Sequence, residues 1–344
     1  MIKNQWYLAA LLPELKKQNP LPKKIIGKEL VIFKTESGAI HVLEDRCCHR
    51  NVNLSLGYVK GEHLKCAYHG WEFQGNGKCG CIPSLPREQE IPNTVKIATY
   101  PTVQKHNCIW VWMGEVEKMD QSKIPPMDEL DEYPFVYNYH DIKGDLQLIA
   151  ESLIDAYHIN HVHRNSIKGM MGNLHGEEIA FNLNVDEASL TGEYYRHNEG
   201  SIFEKFYFGF EKKILTKFGF WFPHSSKLDI HFKKRRLVIY EHFYQIDENT
   251  VRMCQITAWK KIFNGFPLFF FAKWFMLNKS IRIVQEDIAI LESNKKIKDK
   301  RPSHDLLITP SDEVSLEFIK LWKKNTQPYE KATEKEDRKE AQVL

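Results

Sequence analysis

The sequence predicts an α+β protein, with a β-rich unit at residues 1–117, a mixed sheet-and-helix unit at 118–330 and a polar tail at 331–344. Three observations carry this reading. Short apolar runs bounded by Gly, Asn and charged residues fill the first unit, which is the pattern of short strands and turns. The polar, proline-bearing stretch "EKMDQSKIPPMDELDEYP" interrupts the chain as a linker would. Beyond it, apolar residues recur with both helical and alternating periods.

Along the chain, "ELVIFKT" and "CIWVWMG" read as strands and "QGNGKCG" as a turn. "DLQLIAESLIDAYH" places Leu146, Ile149, Leu153 and Tyr157 at helical spacing. "RRLVIYEHFYQID" and "TVRMCQITAW", joined through "DEN", read as a hairpin. A helix is expected over 280–294, with Ile281, Val284, Ile288 and Leu291 on one stripe. Another starts at "TPSDEV", where Thr309 caps, Pro310 fits the first turn and Asp312 complements the dipole. Its stripe is Val314, Phe318, Leu321 and Trp322. The tail "EKATEKEDRKEAQ" is nearly all polar and reads as solvated or disordered.

With 48 basic and 45 acidic residues the net charge is +3, too balanced for a nucleic-acid partner. Seven cysteines is an odd number, and a chain of this length needs no disulfide staples, so reduced thiols and a cytoplasmic location are expected. The start "MIKNQWYLAALLPELKKQNP" lacks the features of a signal peptide. The longest apolar run, "IFNGFPLFFFAKWFML" at 262–277, is interrupted by Asn264, Gly265, Pro267 and Lys273. It falls short of the roughly 20 apolar residues that span a bilayer. It reads as buried core or the lining of an apolar pocket, and membrane contact is not expected.

Two metal-binding constellations stand out. Cys47 and His49 form C-x-H, and Cys66 and His69 form C-x-x-H, with sixteen residues between His49 and Cys66. Two thiolates and two imidazoles suit either one tetrahedral zinc or a Rieske [2Fe–2S] cluster, in which the cysteines hold one iron and the histidines the other. Ligand count alone does not separate the two.

The context resembles the Rieske domains of non-haem iron oxygenases, specifically their oxygenase (alpha) components. "CCHR", "CAYHGW" and "FQGNGKCGCIPSLP" are similar to that family's motifs, as is the opening "NQWYLAA". The resemblance covers about 110 residues and implies the cluster. In C-x-H the side chains on either side of the intervening residue share a direction, whereas sequence neighbours diverge. Cys47 is then the ligand, and Cys48 is a small apolar filler. Electron-transfer Rieske proteins of respiratory complexes link the two loops by a disulfide. The corresponding positions here are Val52 and Tyr68, so that bond cannot form. Cys79, Cys81, Cys108 and Cys254 have no ligand-like partners and are read as structural.

The second constellation is "AESLIDAYHINHVHRNS". O₂-activating Fe(II) sites use two histidines and one carboxylate. The segment resembles the oxygenase motif N-x-x-D-x-x-H-x-x-x-x-H through Asp155, His158 and His163, with Ser152 in place of the asparagine. On a continuous helix His158 and His161 would share a face, and His163 would not. The family pairing of His158 with His163 therefore needs a break after His158, and His161 is the alternative ligand. "VQEDIAILES" resembles the family's E-E-D segment. Helical periodicity puts Asp287 on the inward stripe and turns Glu286 away. A carboxylate on an apolar face needs a partner, either iron or a basic side chain.

The resemblance implies a helix-grip catalytic domain, an antiparallel sheet around a long helix, that binds mononuclear Fe(II) through His158, His163 and Asp287. It implies a homotrimer in which Asp155 bridges His69 of one chain and His158 of the next. It also implies electrons from a flavin-dependent reductase, directly or through a ferredoxin, and O₂ and a small organic substrate as reactants. The short chain and "QEDIAIL" look like the monooxygenase and demethylase branch. Ring cis-dihydroxylation is the alternative reaction, and an iron-free electron carrier is the alternative protein. Phe206, Phe208, Phe210, Phe218, Phe220, Trp221 and Phe222 form an aromatic region whose alternating spacing reads more as half-buried strand than as pocket; with the apolar run near Phe269 it suggests a hydrophobic substrate.

Overall fold

The computed structural model describes residues 1–16, 18–86, 88–166, 179–197, 210–262, 268–300, 307 and 309–341. The chain divides into two compact units. Met1 and Lys3–Met127 form one, and Ile2 with the residues from Asp128 onward forms the other. The division falls inside the proline-bearing stretch.

The first unit consists of β1 (Gln5–Leu11), β2 (Leu21–Ile25), β3 (Lys28–Lys34), β4 (Ile40–Glu44), β5 (Tyr58–Lys60), β6 (His63–Lys65), β7 (Glu72–Phe73), β8 (Cys79–Cys81), β9 (Thr99–Tyr100), β10 (Thr102–Lys105) and β11 (Cys108–Met113). They form sheets ordered β1-β11-β10, β2-β3-β4-β9 and β5-β6-β7-β8. Every residue of β1 and β11 is buried. This explains their near-continuous apolar sequence, since a strand covered on both faces has no polar side to alternate. Trp6 and Trp112 meet edge-on at 5.5 Å between ring centroids. Their indole N–H groups donate to the Asp120 and Glu115 carbonyls, each at 2.9 Å, so neither buried donor is stranded. Val31, Phe33, Leu43, Leu54, Leu64 and Phe73 form the core beneath two loops, one between β4 and β5 and the other between β6 and β7.

The second unit is α+β. Its seven strands are β12 (Phe135–Lys143), β13 (Asn182–Val185), β14 (Ser189–His197), β15 (Lys213–Trp221), β16 (Ser225–Phe232), β17 (Arg235–Gln245) and β18 (Thr250–Lys260). They form one antiparallel sheet in the order β12-β18-β17-β16-β15-β14-β13. The expected hairpin is β17–β18. Against the sheet lie α1 (Glu129–Glu132), α2 (Leu146–Ile154), α3 (Ile159–Val162), α4 (Leu268–Lys300) and α5 (Glu313–Ala341). The core joins Val284 and Leu291 of α4, and Val314, Phe318, Leu321 and Trp322 of α5, to Phe218, Phe220, Phe243 and Met253 of the sheet. Each of these large side chains contributes about 1.5–3 kcal/mol by leaving water.

Several expectations are corrected. The helix expected over 280–294 runs from Leu268 to Lys300. Its start is not wholly buried. Ala272, Met276, Ser280 and Val284 make a buried stripe at i, i+4 spacing, whereas Phe270, Phe271 and Trp274 are exposed. The polar tail is helical through Ala341 as a continuation of α5. Thr309 and Asp312 form the capping box ahead of it, with the Thr309 N–H donating to Asp312 Oδ2 at 2.7 Å. Phe218, Phe220 and Phe222 are core residues and Phe210 is exposed. Phe206 and Phe208 lie outside the described residues. No helix among the described residues is long and apolar enough to cross a membrane.

Candidate metal centres

The two cysteine–histidine loops have the same backbone design. In the first, the Cys47 N–H donates to Val52 O at 2.8 Å and the Asn51 N–H donates to Cys47 O at 2.9 Å. In the second, the Cys66 N–H donates to Trp71 O at 2.8 Å and the Gly70 N–H donates to Cys66 O at 3.1 Å. Asn51 and Gly70 hold the same position, and both have positive φ, 57° and 70°. Asn and Gly are the residues that tolerate that conformation. A side chain at Gly70 would also press on Lys65 and Pro83.

These loops bury Cys47 and Cys66 and stack the imidazoles. The His49 and His69 ring centroids lie 4.7 Å apart, and Trp71 lies flat on His49 at 4.5 Å. Burial, with the Cys66 thiol alongside, pushes the Cys47 thiol up to about 11. Two thiols buried together at that cost need a cation to become thiolates. His49 Nδ1 is buried with no hydrogen-bond partner, as a nitrogen awaiting a metal would be. Burial, then His69 and Arg50, lower its pKa. Ligands of one zinc, each about 2.0–2.3 Å from the ion, would converge to within about 4 Å of one another. Among the described residues only His158, His163 and Asp287 bring three ligand atoms within 4.8 Å. Cys47, His49, Cys66 and His69 do not form such a group, and two cysteines with two histidines suit the two irons of a Rieske cluster. Cys48 is half-buried against the core beneath the loops, and all seven cysteines are free.

The second centre is built by a broken helix. α2 ends at Ile154, and Asp155 leaves it with extended backbone. The Asp155 side chain accepts from the Tyr157 N–H at 2.7 Å, a turn that aspartate favours. Arg196 of β14, deeply buried, donates through Nη2 to the Ala156 carbonyl. The break therefore precedes His158, contrary to the expected position after it. His158 caps the single turn of α3 and His163 ends it. Their rings stand 5.3 Å apart at 74°. His161 is exposed and does not join them.

Asp287 of α4 completes the group. Its Oδ1 lies 3.6 Å from His158 Nε2 and 3.2 Å from His163 Nε2. A carboxylate faces each of the other ring nitrogens, within hydrogen-bond reach at His163 and beyond it at His158. Glu286 Oε2 lies 3.1 Å from His163 Nδ1, and Asp155 Oδ2 lies 3.6 Å from His158 Nδ1. Glu286 thus points into the site rather than away. It also accepts from the Ser166 hydroxyl at 2.5 Å. Burial alone would lower the His163 pKa, but Asp287 and then Glu286 raise it above the usual imidazole range. Likewise, burial would raise the Asp155 carboxyl, and His158 brings it below normal. A ring surrounded by carboxylates in this way is ready to receive a cation in place of a proton. Ser152 turns its hydroxyl back onto the Ile149 carbonyl at 2.9 Å and takes no part.

The sequence reading missed Glu286, Ser166 and Arg196. Glu286 was discoverable as the neighbour of Asp287. Arg196, 40 residues from Ala156, left no local signal.

Residues 5–101 match the family model described as Rieske [2Fe–2S] domain. The chain is 33% identical over 165 residues to dicamba O-demethylase, oxygenase component, of Stenotrophomonas maltophilia, covering 47% of this chain and 48% of that protein. It is 32% identical over 185 residues to the 3-chlorobenzoate-3,4-dioxygenase oxygenase subunit of Comamonas testosteroni, covering 52% and 40%. It therefore spans about half the length, or less, of these curated relatives. The fold matches crystalline dicamba monooxygenase bound to 3,6-dichlorosalicylic acid with a TM-score of 0.78 at 20% identity, covering 95% of this chain and 99% of that one.

Proposed function

We propose, from a Rieske [2Fe–2S] domain joined to a helix-grip domain in the monooxygenase- and demethylase-like branch, that this chain is the oxygenase component of a Rieske non-haem iron oxygenase. It hydroxylates or demethylates a small, hydrophobic organic compound. The convergence of His158, His163 and Asp287 in a chain that also carries a Rieske domain supports this reading most directly. In balanced form, substrate C–H, O₂, two electrons and two protons yield substrate C–OH and water. On an O- or N-methyl group the product collapses to formaldehyde and the demethylated compound.

Cys47, His49, Cys66 and His69 hold the cluster, and His158, His163 and Asp287 hold the mononuclear Fe(II). When bound, the cluster supplies single electrons and the iron supplies O₂ activation. The chain's own residues do the rest. Glu286 fixes His163 with its Nδ1 protonated, leaving Nε2 free to ligate. Asp155, whose Oδ2 lies 3.6 Å from His158 Nδ1, orients that ring by its charge, and links it to His69 of the neighbouring chain in a homotrimer. The apolar core around Val284 and Leu291 limits water around the site. A flavin-dependent reductase, directly or through a ferredoxin, is the electron donor, and the protein works in the cytoplasm.

The dicamba and 3-chlorobenzoate relatives bear names of small aromatic substrates, which supports that size class here. The testing experiment counts iron and follows coupled turnover. Three irons per chain, with reductase-dependent product formation from a panel of aromatic, sterol-like and methyl-ether compounds, is the expected result. Two irons per chain would indicate an electron carrier instead.

A further inference from the structure

The sheet register lines up one polar residue from each of four neighbouring strands. Asn138 of β12 pairs with Gln255 of β18, Gln255 with Glu241 of β17, and Glu241 with Ser226 of β16. The next residues on this face are His140, Met253 and Phe243 on one side, and Thr257, Ile239 and Leu228 on the other. Gln255, Glu241 and Ser226 of this row are buried, which is costly unless the row has a use or is fully paired. It faces α4, because the Ser280 hydroxyl donates to Gln255 Oε1. Asp287 lies two helical turns beyond Ser280, on the same face.

The direction of the hydrogen bonds along this row decides its chemistry. Asn138 Nδ2 donates to Ser280 Oγ at 2.7 Å, and Ser280 donates onward to Gln255 Oε1. That fixes the Gln255 amide so that Nε2 donates to Glu241 Oε1 at 3.3 Å. From the other side, Ser226 donates to Glu241 Oε2 at 2.5 Å. Every donor runs toward Glu241, so the row ends on an acceptor. A carboxylate has about four lone-pair sites, and two donors reach it here. Burial pushes the Glu241 carboxyl up, and the hydrogen bonds from Ser226 and Gln255 oppose this. Glu241 thus has acceptor capacity left over, in a row tied through Ser280 to the face of α4 that carries Asp287.

Building on the oxygenase reading above, we infer that Glu241 is a specificity residue that receives an N–H or O–H donor of the substrate, so that this enzyme takes amines or alcohols rather than carboxylates or sulfonates. An ammonium group supplies both donors and charge, and a hydroxyl supplies a donor alone. An anion would meet only lone pairs.

The test uses holoprotein with its iron counted, an NADH-driven flavin reductase, and three probes that differ in one group: 4-methoxybenzylamine, 4-methoxybenzyl alcohol and 4-methoxybenzoate. The expected result is O₂ uptake with formaldehyde release from the amine, the alcohol or both, and at least tenfold less from the benzoate. Glu241→Gln keeps a carbonyl acceptor but loses the charge. It should weaken use of the amine tenfold or more in kcat/KM, chiefly through KM, while changing use of the alcohol less than threefold. Glu241→Leu should lose both. Preference for the benzoate, no response to either donor probe in protein holding three irons, or unchanged amine use by both variants would overturn the inference and leave the oxygenase reading standing. Protein holding only the two cluster irons would overturn both.

Discussion

Glu286 Oε2 sits 3.1 Å from Nδ1 of His163, while the adjacent residue, Asp287, sits 3.2 Å from Nε2 of the same ring. Two consecutive carboxylates thus embrace one imidazole. Only Nε2 faces the centre shared with His158, so Glu286 acts on the orientation and tautomer of His163. Glu286→Ala should lower affinity for a divalent ion at this centre about 10–100-fold. Glu286→Gln, whose carbonyl can still accept from Nδ1–H, should lose much less. Titrating protein stripped of its mononuclear metal with Co(II), and following the Co(II) absorption, measures this directly. Equal affinities for wild type and Glu286→Ala would remove Glu286 from the site.

This relationship marks the limit of what the sequence revealed. His158, His163 and Asp287 were legible because their types and spacing match a ligand set, and the inward stripe of α4 identified Asp287. Glu286 was misread because periodicity gives a direction about the helix axis and not the position of the partner. The start of α4 was misread for a related reason. An apolar run reads as buried, yet Phe270, Phe271 and Trp274 lie on its open side. The polar row through Glu241 depends on strand register across β12, β18, β17 and β16, and no local pattern encodes that.

Asp155 provides the next prediction. Its Oδ2 lies 3.6 Å from His158 Nδ1, and its Oδ1 is engaged by the Tyr157 N–H. Asp155→Asn can retain the turn but removes the charge beside the ring. Both metals should remain bound, with turnover nearly abolished. Iron analysis alongside single-turnover kinetics checks this, and full activity in the metallated variant would exclude the bridging role.

The pH dependence of stability should show the Asp229–Arg236 pair. Asp229 accepts from Arg236 Nε at 2.7 Å, and Arg236 also reaches Glu129 at 2.6 Å. Burial would raise the Asp229 carboxyl, but Arg236 and then His231 hold it at about 2, against an ordinary 3.8. The folded form binds this proton more weakly than the unfolded chain does. Its contribution is therefore fully present above about pH 4 and is lost as pH falls through about 2. The contribution at pH 7 is on the order of 2 kcal/mol, with roughly half remaining at pH 3. Urea unfolding of wild type and Asp229→Asn should show a stability gap at pH 7 that narrows at pH 3. A gap that widens on acidification would contradict the assignment.

The adjacent cysteines of "CCHR" give the sharpest contrast. Cys47 closes the first loop through its own N–H and carbonyl, and Asn51 at positive φ sits four residues on. Cys66 and Gly70 repeat that arrangement in the second loop. The equivalence of the loops makes Cys47, and not Cys48, the counterpart of Cys66. Burial raises both Cys47 and Cys48, but only Cys47 is fully buried in the core with Cys66, and Cys48 is half-buried at its edge. Cys47→Ala should therefore abolish the visible absorption and the iron of the cluster. Cys48→Ala should keep both, losing at most about 1 kcal/mol of packing from a half-buried small side chain. Absorbance and iron content of the two purified variants measure the outcome, and an intact cluster in Cys47→Ala with loss in Cys48→Ala would reverse the assignment.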